Sequence, residues 1–150
     1  MARVRVPVPV RWSDLDAYGH VNNAAMLTLL EEARIATFWA KGETASGTNV
    51  LAGGPDASSY TLVARQEIEY LAPLGHSHEP AVVELWIGRV GGASLDVCYE
   101  LLSPTGQLAA RAATSIVMVD ADSGRPRRLD DDERRALAEL EGDPIEFRRR

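Results

Sequence analysis

The first ten residues alternate apolar and polar side chains. Valines occupy every second position from Val4 to Val10, and arginines or prolines lie between them. A period of two predicts a β-strand with one buried face. Pro7 and Pro9 have no amide hydrogen to donate to a neighbouring strand, so we expect this strand to be irregular or to lie at an edge of its sheet.

A long apolar segment from Ala24 to about Ala40 predicts a helix. Its apolar residues cover most of the helix circumference and leave a thin polar strip formed by Thr28, Glu31, Glu32 and Arg34. A helix with so little polar surface is largely enclosed by the rest of the protein. We expect Glu32 and Arg34 to form pairs within the helix or across an interface.

Four strand-like runs follow, with turn signals between them. They extend over 60–71, 81–90, 94–103 and 107–119, and the first alternates its even-numbered against its odd-numbered positions. Gly91-Gly92 and Pro104-Thr105-Gly106 suit short hairpins, which join antiparallel strands. The pattern therefore predicts an α+β fold with five strands in a mostly antiparallel sheet, the long helix on one face of that sheet, and a short C-terminal helix over 130–141.

The segment between the helix and the second strand has a different composition. Residues 41–59 are rich in Gly, Ser, Thr, Ala and Pro, and the strongest break is Gly53-Gly54-Pro55. A connection of this length is unusual in a compact domain. Two interpretations stay open, a lid over a binding site and a solvated connector.

Composition limits the kinds of protein that this chain can be. With 150 residues, of which 45% are hydrophobic, we expect a single domain with its core over 4–119 and a C-terminal helix and tail over 120–150. The formal net charge of −6 argues against nucleic acid binding. We find no signal peptide or membrane-spanning pattern, and the single cysteine, Cys98, cannot form an internal disulfide. We therefore expect a cytoplasmic protein without a membrane partner.

Candidate chemistry is concentrated between the first strand and the helix. Residues 11–23 read Arg-Trp-Ser-Asp-Leu-Asp-Ala-Tyr-Gly-His-Val-Asn-Asn, directly before the apolar segment. The first amides of a helix have no partner inside it, and the helix dipole adds positive charge there, which stabilises an oxygen that becomes negative during a reaction. Gly19 suits a turn at positive φ, and Asn22 or Asn23 suits a helix cap. Asp16 would lie beside that oxygen.

The first strand, the D-x-D-x-x-G-H-V-N-N loop, the buried helix and the strand meander together resemble the hotdog-fold acyl-CoA thioesterases, specifically the 4-hydroxybenzoyl-CoA thioesterase-like branch. The likeness runs over about 4–119; its most specific part is 14–23, supported by Glu-Ala-Arg at 32–34 and Ile-Glu-Tyr-Leu-Ala-Pro at 68–73. The resemblance implies a sheet wrapped around the helix. It also implies edge-to-edge pairing of two protomers with each active site at their boundary, hence a homodimer or homotetramer.

The resemblance further implies roles for individual residues. Asp16 is expected to act as a general base on water or as a nucleophile toward the thioester carbonyl, and the main-chain amide at Asn23 to polarise the thioester oxygen. The simpler alternative for Asp16 is to cap the loop or the helix. His20 is a third catalytic candidate. Three roles stay open for it: to orient water, to share the base role with Asp16, or only to bond to the loop backbone. The expected substrate-binding residues are Gly19, Asn22, Ala24 and Tyr70.

Other polar and aromatic residues receive weaker expectations. We expect Asp14 to be structural, and His76 and His78 show no metal-ligand pattern. Tyr70 and Trp86 either line an acyl channel or pack in the core. The candidates to meet coenzyme A phosphates are Arg65, Arg89 and Arg111. No metal or redox cofactor is expected.

Three activities on this scaffold stay open. The leading hypothesis is hydrolysis of an acyl-CoA thioester to a free acid and coenzyme A. A hotdog enoyl-thioester hydratase uses an Asp and a His in a D-x-N-P-x-H pattern, whereas residues 16–20 here lack the proline, which favours the thioesterase. A noncatalytic acyl-CoA sensor is the third possibility. The sequence does not fix the acyl group, or the choice between coenzyme A and a carrier protein.

Overall fold

The structure is a computed structural model that describes residues 3–39 and 58–148. In chain order its elements are β1 (Val4–Val8), a 3-10 turn (Trp12–Asp14), α1 (Asn23–Phe38), β2 (Ser59–Tyr70), β3 (Ala81–Val90), β4 (Ser94–Leu102), β5 (Leu108–Asp120) and α2 (Asp131–Ala138). These elements confirm the predicted α+β fold, with ends that differ by a few residues. The lid-or-connector segment falls outside the described residues, except for its last two positions.

The sheet has the order β1-β3-β4-β5-β2, and every neighbouring pair is antiparallel. β1 lies at one edge and, among residues 3–39 and 58–148, pairs only with β3, from Val4 opposite Leu85 to Val8 opposite Ala81. The predicted edge position of the proline-containing strand is therefore confirmed. Its valines face the core, and its arginines and prolines are exposed.

β2 forms the other edge of the sheet, and β5 is its one partner in the part of the chain that the structure describes. The register shifts between Val63 and Arg65. Val63 lies opposite the buried Ile116, whereas after the shift it is Gln66 that lies opposite the buried Thr114. The helix-facing positions thus change from odd to even numbers within the strand. The uniform alternation that we predicted for this run is wrong, because the bulge adds one residue to β2.

α1 lies on one face of the sheet, closest to β1 and β3. Its buried apolar residues are Met26, Leu29, Leu30, Ala33 and Phe38, and they share one core cluster with the inward-facing residues of the strands. Removing a large apolar side chain of this kind from water contributes about 1.5–3 kcal/mol. This burial holds the helix, and therefore its N-terminus, in a fixed position relative to the sheet.

Arg34 is a buried charge on this helix. Its Nη1 donates to Tyr99 Oη over 3.0 Å, and its Nη2 lies 3.8 Å from the carboxylate of Glu31. Within the described chain, Arg34 therefore pairs inside the helix, one of the two expected alternatives, and its partner there is Glu31. Helix residues three apart share a face, whereas residues two apart do not.

The last described residues cross the face of the sheet opposite α1, which we call the outer face. Trp86 Nε1 donates to Asp143 O over 2.8 Å, and Arg148 N donates to Glu69 Oε2 over 3.0 Å. Leu137 of α2 is buried in the same core cluster as the strands. The backbone of Arg148 is thus docked on the sheet. None of the helices in the described ranges is long and apolar enough to span a membrane.

Candidate active site

The loop between β1 and α1 is closed by its own backbone. Asp16 N donates to His20 O over 2.8 Å, and Gly19 N donates to Asp16 O over 3.1 Å. Gly19 has the predicted positive φ, at +76°, a conformation that glycine adopts without steric cost. The loop is also fixed to the segment after β2, because Val21 N donates to Leu74 O over 2.7 Å. These bonds determine where the side chains of the loop point.

Asp14 is the buried aspartate of the loop, with 3% of its surface exposed. The Arg11 guanidinium donates to both of its oxygens, through Nη2 at 2.9 Å and Nε at 3.4 Å, and Arg11 N donates to Oδ2 at 2.8 Å. The side-chain hydrogen bond from Arg11 is the main reason why the pKa of Asp14 lies below its ordinary value. This geometry agrees with the structural role that we expected.

Asp16 is half-buried and lines a cleft at the start of α1. Its Oδ1 accepts from Tyr18 N at 2.8 Å and from His20 N at 3.2 Å. Its Oδ2 accepts no hydrogen bond from residues 3–39 or 58–148. Loop capping and chemistry are therefore compatible at this residue, because they use different oxygens of the carboxylate.

The start of α1, at Asn23, borders the same cleft. Asn22 is the N-cap, and its Oδ1 accepts from Ala24 N over 2.8 Å. The amides of Asn23 and Ala25 donate to no acceptor in the described part of the chain. An unpaired amide at the positive end of a helix suits a negatively charged oxygen. The main chain at Asn23 thus has the features that the resemblance requires of an oxyanion donor.

The cleft has a volume of about 500 Å³, within the range typical of ligand sites. It brings together the predicted residues Asp16, His20, Asn23 and Tyr70. Sequence reasoning did not single out the apolar residues of its wall, which are Val21, Met26, Leu71, Ala72 and Pro73. The signal that pointed to part of this wall was the family-like run over 68–73. The other predicted binding residues, Gly19, Asn22 and Ala24, shape the loop and helix start but do not line the cleft.

Tyr70 lies near the end of β2, on the face that carries α1. Its hydroxyl donates to Asn23 O over 2.9 Å, and 46% of the residue is exposed. Tyr70 therefore lines the cleft and does not pack in the core. Partial burial raises the pKa of its hydroxyl above the ordinary value. Trp86, the other aromatic candidate, is buried on the outer face and cannot line this cleft.

The three arginines proposed for phosphate binding lie on the outer face of the sheet. Arg89 donates to Asp96 over 3.1 Å, and Arg111 donates to Glu69 over 2.8 Å. Arg65 lies 3.6 Å from Glu67, and 76% of its side chain is exposed. Of these three, Arg65 is the one whose charge is most accessible to a ligand.

The two remaining histidines lie in the loop before β3. The ring of His76 meets that of Trp12 edge to face, with centroids 5.5 Å apart, and His78 follows at 6.4 Å from His76. Across the described ranges, no group of three or more His, Cys, Asp or Glu side chains is arranged to hold a metal ion.

Comparison with known proteins gives a consistent family. The family model of the thioesterase-like superfamily matches residues 10–137. Two Bacillus subtilis proteins are similar along most of their length. "Uncharacterized protein YsmA" is 28% identical over 130 residues, which are 87% of this chain and 82% of that protein. "Putative acyl-CoA thioesterase YneP" is 29% identical over 119 residues, which are 79% of this chain and 81% of that protein.

One solved structure adds a ligand to this comparison. A thioesterase from Thermus thermophilus, complexed with coenzyme A and Zn, is 32% identical to this chain and superposes with a TM-score of 0.71. The match covers 95% of this chain and 96% of that one. The two proteins thus share their fold over nearly their whole length.

Proposed function

This chain belongs to the thioesterase-like superfamily and is a thioester hydrolase, and we propose that it hydrolyses an acyl-CoA thioester to a carboxylic acid and coenzyme A. One observation carries the proposal. Asp16, whose Oδ2 accepts no hydrogen bond from the described residues, lines the same cleft as Asn23, whose amide donates to none of them. The bound coenzyme A of the similar Thermus thioesterase and the name of YneP support coenzyme A as the carrier.

The reaction follows from these two groups. Asp16 Oδ2 either removes a proton from water as that water attacks the thioester carbon, or attacks the carbon itself. In both cases the carbonyl oxygen becomes negative and accepts a hydrogen bond from Asn23 N. One such donor stabilises a transition state by about 2.7–4 kcal/mol in related reactions. The C–S bond then breaks and releases the thiolate of coenzyme A; if Asp16 attacked directly, water hydrolyses the resulting anhydride.

We assign His20 a supporting role in this reaction. Its backbone amide donates to Asp16 Oδ1, which holds the carboxylate in place. Its imidazole lines the cleft and makes no hydrogen bond with residues of the described ranges, so it is available to orient the attacking water. A neutral imidazole has one donor and one acceptor nitrogen, and either can bond to a water molecule.

We further propose that the protein is at least a homodimer through the edge of β2. The outward side of this strand has no partner strand in the described chain, and its large apolar residues Tyr60, Leu62 and Val63 are between 41% and 51% exposed. An exposed apolar edge of this kind favours pairing with another strand. The cleft includes Tyr70 at the end of β2, so pairing there would place each active site at the boundary between two protomers.

Light scattering tests the dimer. We expect twice the protomer mass for the wild type, and a shift toward the monomer for Leu62→Glu. Trp12→Glu is the control, because Trp12 is 77% exposed but lies outside β2. A wild type that stays monomeric at high concentration would refute the edge dimer.

A noncatalytic acyl-CoA sensor is the second candidate, because Asp16 Oδ1 is engaged in capping the loop. A four-substrate assay decides between the candidates. Acetyl-, hexanoyl-, palmitoyl- and benzoyl-CoA are incubated with the protein, and released thiol is detected with Ellman's reagent. Catalytic release of thiol supports the thioesterase. Calorimetric binding of these acyl-CoAs without release supports the sensor, and water addition to crotonyl-CoA without thiol release would indicate a hydratase.

A further inference from the structure

Neighbouring groups hold the residues on both sides of Tyr70, Glu69 through its side chain and residues 71 and 72 through their backbone. On the outer face, Glu69 accepts from Arg111 Nε at 2.8 Å and from Arg148 N at 3.0 Å. After Tyr70, the amides of residues 71 and 72 both donate to Ala109 O, at 2.8 and 3.1 Å. The Tyr70 side chain therefore projects toward α1 from a fixed point, although nearly half of it is exposed.

The hydroxyl of Tyr70 completes a clamp on one peptide group of α1. That peptide consists of the carbonyl of Asn23 and the amide of Ala24. Tyr70 Oη donates to the carbonyl oxygen over 2.9 Å, and Asn22 Oδ1 accepts from the amide over 2.8 Å. With both ends held, the plane of the peptide is fixed. The Asn23 amide is joined to this plane through a single Cα atom.

We propose that Tyr70 is a positioning residue, whose hydroxyl, together with the Asn22 side chain, aims the Asn23 amide at the thioester oxygen. This inference rests on the proposed function and goes beyond it, because it gives the edge strand a task in the chemical step. A phenol has one proton, and here that proton is donated to Asn23 O. Tyr70 therefore acts through the helix start and does not donate to the substrate.

Tyr70→Phe tests the proposal, because it removes only the hydroxyl. Misdirecting a preorganised donor reduces the rate of the chemical step more than it weakens binding. We expect kcat to fall about tenfold and KM to change less than about twofold. Tyr60→Phe is a matched control on the same strand, since the Tyr60 hydroxyl makes no hydrogen bond within the described part of the chain. It should leave both constants unchanged.

Amide hydrogen exchange gives a readout that does not depend on activity. In Tyr70→Phe we expect faster exchange at the start of α1, and no change there in Tyr60→Phe. Faster exchange with unchanged kcat would overturn the proposal, because the clamp would then have no role in the reaction. A lower kcat with unchanged exchange would also overturn it, since Tyr70 would then act on the substrate directly.

The outcome is separable from that of the proposed function. If the wild type releases no thiol from any of the four acyl-CoAs, the proposed function fails. The exchange comparison then still decides whether Tyr70 holds the helix start: faster exchange in Tyr70→Phe supports the clamp, and unchanged exchange overturns it.

Discussion

The two halves of the loop before α1 use their aspartates in opposite ways. Asp14, in the first half, is buried, and Arg11 occupies both of its oxygens. Asp16, in the second half, is half-buried and keeps one oxygen free of hydrogen bonds from the described residues. The difference shows that a carboxylate in the right motif is not by itself sufficient to act on a ligand. An oxygen must also remain available to a ligand while the other holds the group in place.

Asp16→Asn should have the largest effect of the series, a loss of kcat that the same substitution at Asp14 does not cause. The amide oxygen can still accept from Tyr18 N and His20 N, so we expect the loop and the melting temperature to persist. The amide is neither an effective base nor an effective nucleophile, and we expect kcat to fall at least about a hundredfold. The measurement is initial-rate thiol release, with circular dichroism as the control for folding. Near-normal turnover would remove Asp16 from the mechanism.

Asp14→Asn should have the converse effect. Here we expect a loss of about 1–2 kcal/mol in the free energy of unfolding, because the bonds that organise the start of the loop are weakened. The kcat of the folded protein should change only a few-fold. Urea unfolding and the thiol assay measure the two quantities.

The control for Asp14→Asn is the pH dependence of its free energy of unfolding relative to the wild type. The folded-state pKa of Asp14 lies below its ordinary value of 3.8. The stabilisation by the ionised group is therefore fully present above 3.8 and is lost as the pH falls through the lower, folded-state pKa. The gap in unfolding free energy between wild type and Asp14→Asn should shrink below pH 3.8. A gap that does not change with pH would mean that the charge of Asp14 does not contribute.

Gly19→Ala should give the smallest effect of the series. A Cβ at this position would contact nothing within 4 Å, so the cost comes only from the positive φ. We expect a loss of about 1 kcal/mol. Gly75→Ala is the matched control, because its Cβ also meets open space and its φ is not positive. Equal stabilities of the two variants in urea would contradict this explanation.

Local patterns were sufficient to predict much of the fold. Alternating valines with Pro7 and Pro9 between them identified an edge strand, since the rule involves only neighbouring residues. The positive φ at Gly19 and a cap at Asn22 or Asn23 were predicted in the same way, and the structure has the cap at Asn22. By contrast, no glycine or proline marks the bulge between Val63 and Arg65, so it was missed.

Contacts between distant residues account for the rest of what the sequence could not show. The bond from Tyr70 to Asn23 joins positions 47 apart, and the bond from Arg34 to Tyr99 joins positions 65 apart. Such pairs depend on strand register and helix placement, which no local period specifies. The different surroundings of Asp14 and Asp16 likewise depend on which groups lie around each of them after folding.

The most direct test of the central claim is a crystal structure of the protein with a nonhydrolysable acyl-CoA analogue. We predict that Asp16 Oδ2 lies about 3–3.5 Å from the carbon that replaces the thioester carbon. Asn23 N should lie about 2.7–3.1 Å from the carbonyl oxygen. A second cleft, of about 350 Å³, lies between β1 and α1 and is lined by Val6, Val8 and Leu29 among others. An analogue whose carbonyl lies in that groove, away from Asp16, would contradict the account.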